Sequence, residues 1–77
     1  MMMQDISVNV GAKVRTMRIA RGLSVAQTAR LIGCTSQQLL RSERGDIRIH
    51  VDMLYQLSLI FGCEVKCFFE EILREPD

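Results

Sequence analysis

Apolar residues recur at helical spacing through most of the chain, and a glycine or a capping residue interrupts the pattern at each predicted boundary. Val10, Val14 and Met17 stand at i, i+4 and i+7 with Lys13, Arg15 and Arg18 between them, which predicts a first helix stopped by Gly22. Ser24-Val-Ala-Gln27 is a capping box: the serine oxygen can accept from the Gln27 N–H while the glutamine side chain reaches back to Ser24. It predicts a second helix that runs to Ile32 and ends where Gly33 turns left-handed. Thr35-Ser-Gln-Gln38 repeats the same logic, so a third helix starts about three residues after the second stops, and it should end at Gly45. Asp46 to His50 reads as a loop. Val51 to Phe61 carries only Asp52, Gln56 and Ser58 as polar residues, so a fourth helix there must be buried on more than one side or face a partner. Gly62 closes it, and Val65, Phe68, Phe69, Ile72 and Leu73 predict a short fifth helix.

Two helices joined by so tight a glycine-containing turn are the supersecondary unit called helix-turn-helix. The expected fold class is therefore all-α: a single domain over residues 1–77, five helices with that unit formed by the second and third, a core over 8–73 and flexible ends. At 77 residues the core is thin, worth about 3–5 kcal/mol, so oligomerisation is expected to add stability. An apolar content of 48% excludes a disordered chain, and no apolar run approaches the roughly 18 residues that span a bilayer. The start Met1-Met2-Met3-Gln4-Asp5 lacks the basic and apolar regions of an export signal, and three cysteines are an odd count for a disulfide framework. Both features predict a cytoplasmic protein without disulfides or membrane contact.

The formal charge of +1 hides a strong segregation. Between Gly11 and Arg48 the eight residues Lys13, Arg15, Arg18, Arg21, Arg30, Arg41, Arg44 and Arg48 face Glu43 and Asp46, a net +6; from Ile49 onward the net charge is −4. One half suits a polyanion and the other repels it. On the third helix Leu39 faces inward, with Ser42 one turn on, while Ser36, Gln37, Gln38 and Arg41 crowd the outer N-terminal surface. Glutamine can pair with adenine and arginine can fork onto guanine through two hydrogen bonds each, so these four are the candidate base readers. Gln and Arg also favour any solvated helix face, and it is the preceding turn that points to recognition. Backbone N–H groups at the start of the second helix beside Ser24, with Arg30, Arg44 and Arg48, are the candidate phosphate contacts.

The residues Val14-Arg-Thr-Met-Arg18, Arg21-Gly-Leu-Ser24, Ala29, Ile32-Gly33, Thr35, Leu39 and Glu43-Arg-Gly45, followed by Leu54, Leu57 and Val65, resemble the lambda-repressor and Cro-type helix-turn-helix family. The likeness covers Val10 to about Ile72 and, through Arg48-Ile49, Leu54-Tyr55 and Phe68-Phe69-Glu70, is similar to a bacterial subgroup of short regulators. It implies a five-helix lambda-repressor-like bundle that places the helix over residues 35–44 in the major groove. It also implies an internal ion pair between Arg18 and Glu43; neither enzymatic activity nor a cofactor is expected. The chain departs from the family at Val25, where glutamine usually contacts phosphate, and at Thr28 and Ser42, where large apolar residues usually stand. Looser packing and one phosphate contact fewer are expected; Asp46 adds an acidic group near the DNA side, with Ile47 beside it.

Rival chemistry is thin. A general acid or base needs convergent titratable groups, and the one histidine, His50, stands where the fourth helix should begin. Cys34, His50, Cys63 and Cys67 could in principle form a zinc tetrahedron, without the CxxC spacing that would favour it. Cys67, read as exposed, is also a candidate for oxidation. The main rival class is a helix-turn-helix fold kept as a protein-interaction module. Within the DNA-binding class a phage-type repressor, an antitoxin with a toxin partner and a restriction–modification controller fit equally. On the fourth helix Val51, Leu54, Ser58 and Phe61, with Leu57 beside them, suffice to cover the core. Met53, Ile60 and Leu59 are left over there, and Phe69, Ile72 and Leu73 beyond it, as the expected surface of a symmetric homodimer on a near-palindromic duplex operator.

Overall fold

The computed structural model describes residues 6–70, and these fold as α1 (Ile6–Ala20), α2 (Val25–Ile32), α3 (Ser36–Arg44), α4 (Val51–Phe61) and a 3-10 turn at Val65–Phe69. Both capping boxes close. The Gln27 N–H donates to Ser24 Oγ at 3.0 Å and the Ser24 N–H to Gln27 Oε1 at 2.8 Å. At α3 the same two bonds join Thr35 and Gln38, each at 3.0 Å. Two of the orphan N–H donors at each helix start are thereby satisfied, which fixes where α2 and α3 begin and how tightly the turn runs between them.

Three expectations change. Helix α1 starts at Ile6, earlier than Val10, because no breaker lies between them and Ile6 and Val8 are exposed, so the buried stripe begins later than the helix. The chain makes a 3-10 turn at Val65–Phe69 where a fifth helix was expected, burying Phe68 with five residues rather than with an amphipathic face. Ile72 and Leu73 lie outside the described residues. Val51 is 74% exposed rather than part of the core stripe, since it is the first residue of α4 and precedes the part that α1 and the 3-10 turn cover.

One apolar cluster joins Val10, Val14 and Met17 of α1, Leu54, Leu57 and Phe61 of α4, and Phe68. Helix α3 contributes only Leu39 to the buried apolar set, so its place depends on α1, its most extensive neighbour. That contact is made backbone to backbone. A Cβ at Gly11 would collide with the Ser42 carbonyl oxygen and stand 2.7 Å from that of Glu43. At Gly45, which has φ +82, a Cβ would stand 2.7 Å from Val8 Cα. Glycine at these two positions therefore sets how closely α1 approaches the C-terminal half of α3.

A buried ion pair ties the same two helices. Arg18 Nε donates to Glu43 Oε2 at 2.7 Å and Nη2 to Oε1 at 3.1 Å, while Nη1 donates to the Leu23 carbonyl at 2.8 Å. The side chains are only 9% and 1% exposed. Thr28 and Ser42 are fully buried, yet their hydroxyls donate to the carbonyls of Ser24 and Gln38 at 2.9 and 3.0 Å. No buried side-chain nitrogen or oxygen among the described residues lacks a partner, so these two departures leave no orphan polar atom beneath the turn.

Removing one member of the Arg18–Glu43 pair strands the other charge in a dry site, at a cost of about 3–5 kcal/mol, similar to the whole stability of so small a core. Glu43→Ala should be largely unfolded in urea concentrations that leave the parent native, as read by circular dichroism. The double replacement Arg18→Met, Glu43→Leu should recover much of the loss. A Glu43→Ala midpoint equal to that of the parent would contradict the pair's role.

Candidate nucleic-acid interface

Because Leu39, Ser42 and Glu43 point inward, the opposite side of α3 presents Gln37, Leu40, Arg41 and Arg44, spaced i, i+3, i+4 and i+7 and all exposed. Ser36 is also exposed, at the first helical position. Gln38 has a divided role, since its Oε1 accepts the Thr35 N–H and the cap thereby fixes which way its amide points. Of the four predicted readers only Gln38 has its recognition group engaged among the described residues, and Gln37 and Arg41 are the two that can make a two-bond pairing with a base through free groups. Leu40 stands on the same face and is absent from the predicted set.

The basic residues sort into two groups by what their guanidinium or ammonium groups touch. Arg18 is spent inside on Glu43. Arg21 Nε donates to the Phe61 carbonyl at 2.8 Å and Nη1 to that of Met17 at 3.1 Å, and its guanidinium carbon lies 5.2 Å from the Phe61 ring centroid. It therefore satisfies carbonyls at the C-terminal ends of α1 and α4, a role that charge counting missed; an arginine just before one helix-stopping glycine and a phenylalanine just before another were its only signals. Lys13 reaches Glu70 at 3.8 Å on the surface. Arg15, Arg30, Arg41, Arg44 and Arg48 are exposed and have no ion-pair partner among the described residues. Ser24, also exposed, accepts from Gln27 and keeps its hydroxyl proton for a further acceptor. Asp46 is exposed in the loop after α3, and Val25, half-buried, opens α2.

Other candidate chemistry does not converge. Among the described residues no three of His, Cys, Asp and Glu lie where they could hold a metal ion, so Cys34, His50, Cys63 and Cys67 are not gathered into one set. His50 is the exposed N-cap of α4 and makes no side-chain capping bond. Cys67 is half-buried rather than exposed. Burial pushes the Cys34 thiol up, and burial followed by the neighbouring Cys67 does the same for Cys63, so both stay protonated and weakly nucleophilic near neutrality. A groove of about 580 Å³ between α3 and α4 is lined by Gln38, Ser42, Arg48, His50, Asp52 and Met53 among others, with mixed polarity. No described helix is long and apolar enough to cross a membrane.

The outward α3 face and the capped turn before it agree with what the chain is similar to. Residues 9–63 match the model of a helix-turn-helix domain family. An uncharacterised HTH-type transcriptional regulator of Sinorhizobium medicae is 32% identical over 86% of this chain and 48% of its own length. A second, from Rickettsia conorii, is 36% identical over 87% of this chain and 54% of its own, so the chain spans about half the length of these relatives. Among solved structures, the restriction-modification controller protein C.AhdI from Aeromonas hydrophila superposes with a TM-score of 0.76 at 27% identity, over 80% of this chain and 94% of that one. The clp gene regulator ClgR from Corynebacterium glutamicum shares the fold, with a TM-score of 0.80 at 21% identity over 86% of each chain. With residues 9–63 matched, the chain belongs to the helix-turn-helix domain family.

Proposed function

We propose that the protein is a small dimeric transcriptional regulator that binds duplex DNA with α3 in the major groove. The observation that carries this reading is the outward face of α3, where the side chains of Gln37, Arg41 and Arg44 make no hydrogen bond or ion pair with any described residue. Gln37 and Arg41 read base edges. Ser24, Arg30, Arg44 and Arg48 hold phosphates, which fixes the register without carrying sequence information. The relatives named as transcriptional regulators, and a restriction-modification controller among the structural neighbours, support the class.

Base and phosphate contacts separate by experiment. Arg41→Ala should lose about 1–3 kcal/mol on a selected duplex and relax preference at one base pair, whereas Arg48→Ala should weaken all duplexes alike and flatten the salt dependence. Equal effects of both on selected and random duplexes would remove α3 from base readout. Failure of the parent protein to bind any duplex at low salt would favour the protein-interaction module.

For the dimer we propose a surface centred on α4. Met53, Ile60 and Phe69 pack partly against the protein's own core, so they offer less free area than unpartnered side chains would. The open apolar residues of α4 are Val51, Tyr55 and Leu59, spaced i, i+4 and i+8, with Tyr55 and Leu59 at 58% and 63% exposure. We assign this stripe, flanked by the half-buried Ile60, to a two-fold contact between copies of the chain. Such a dimer would set two α3 helices roughly 34 Å apart, for a near-palindromic site. Sedimentation equilibrium at micromolar concentration should give twice the 8.8 kDa chain mass, reduced to one chain by Tyr55→Glu with Leu59→Glu. A parent that stays at 8.8 kDa would contradict it.

A further inference from the structure

Helix α3 carries two adjacent leucines with opposite fates. Leu39 is fully buried and is the one large apolar side chain that α3 gives to the interior, while Leu40 is 37% exposed. Leu40 stands one turn from Gln37 and one turn from Arg44, beside Arg41, so an aliphatic group interrupts an otherwise polar outward face. The major groove offers donors, acceptors and one apolar group, the 5-methyl of thymine; 5-methylcytosine presents the same methyl at the same ring position. An aliphatic side chain facing an amino group or a carbonyl instead strips water from it without returning a hydrogen bond, which is unfavourable.

Resting on the assignment of α3 to the major groove, we propose that Leu40 reads the 5-methyl group of a pyrimidine, adding an apolar element of specificity between the polar readers Gln37 and Arg41. The side chain packs its branched end on the methyl and makes no hydrogen bond. The position therefore discriminates methylated from unmethylated pyrimidine, which no combination of glutamine and arginine bonds on this face would do. Because Leu40 takes no part in the apolar cluster of α1, α4 and the 3-10 turn, its replacement leaves the fold in place.

The test uses the full chain and the tightest duplex selected from a random library. Each thymine is replaced singly by deoxyuridine, which removes the methyl and leaves the hydrogen-bonding groups unchanged. Binding should weaken about four-fold at one position per half-site, the effect of losing one buried methyl, and by little elsewhere. Leu40→Ala should bind the thymine duplex about as weakly as the parent binds the deoxyuridine duplex, and should no longer distinguish the two. Where selection leaves cytosine at the corresponding position, 5-methylation should raise parent affinity by a similar factor and leave Leu40→Ala unmoved, which would identify 5-methylcytosine as the source of the methyl. Tight duplex binding with no methyl dependence at any pyrimidine, or methyl dependence that persists in Leu40→Ala, overturns this role while leaving α3 in the groove. Absence of duplex binding by the parent overturns both.

Discussion

Everything on the outer face of α3 depends on a charge pair almost wholly shut off from solvent. A nine-residue helix with one buried leucine does not hold its own position, since short helices are marginal in water and polar ones have little to bury. Arg18 supplies what the sequence of α3 lacks. It grips the Glu43 carboxylate through two hydrogen bonds and bonds with its third nitrogen to Leu23, in the turn that leads into α2. One guanidinium thus joins the first helix, the entry to the second and the last turn of the third. Gly11 and Gly45 let the backbones come close enough for that reach. Burying two charges is expensive, and hydrophobic pairs of the same volume are often at least as stabilising. What the ion pair adds is direction: its planar, two-bond geometry admits one rotation of α3 about its axis.

That orientation divides the arginines by task. Arg18 and Arg21 are structural, one inside and one across the ends of α1 and α4, and neither contributes to a surface for a polyanion in proportion to its charge. The field a ligand meets comes instead from Arg15, Arg30, Arg41, Arg44 and Arg48. The basic excess read along the chain is therefore larger than the one displayed, though its sign and its confinement to the first three helices and the following loop are unchanged. The acidic half, from Ile49 onward, supplies α4 and the 3-10 turn that pack behind the motif.

The parts of this structure legible in the sequence are those encoded over three or four residues. Both capping boxes, the glycines that end α2, α3 and α4, and the tight α2–α3 turn follow from local hydrogen-bond needs that no tertiary contact overrides. Interactions between distant residues were less legible. Nothing near Arg21 announces that it will reach Phe61, forty positions on, and the burial of Met53, Ile60 and Phe69 depends on which neighbours α4 meets. Gln38 was named a reader and also a cap; each reading was locally sound, and only the geometry shows that the cap holds one of its two polar groups. The pairing of Arg18 with Glu43 came from family likeness, because residues so far apart in sequence give no periodic signal of contact.

The central claim is that the free arginines around a rigidly held α3 form a surface for duplex DNA. Its most direct measurement is the salt dependence of duplex binding by the parent chain, followed by fluorescence anisotropy between low and physiological ionic strength. Neutralising three to five phosphates per chain predicts that the logarithm of the binding constant falls linearly with the logarithm of salt concentration, with a slope of about −3 to −5 per protomer. A slope near zero, or no binding at the lowest salt, would contradict it.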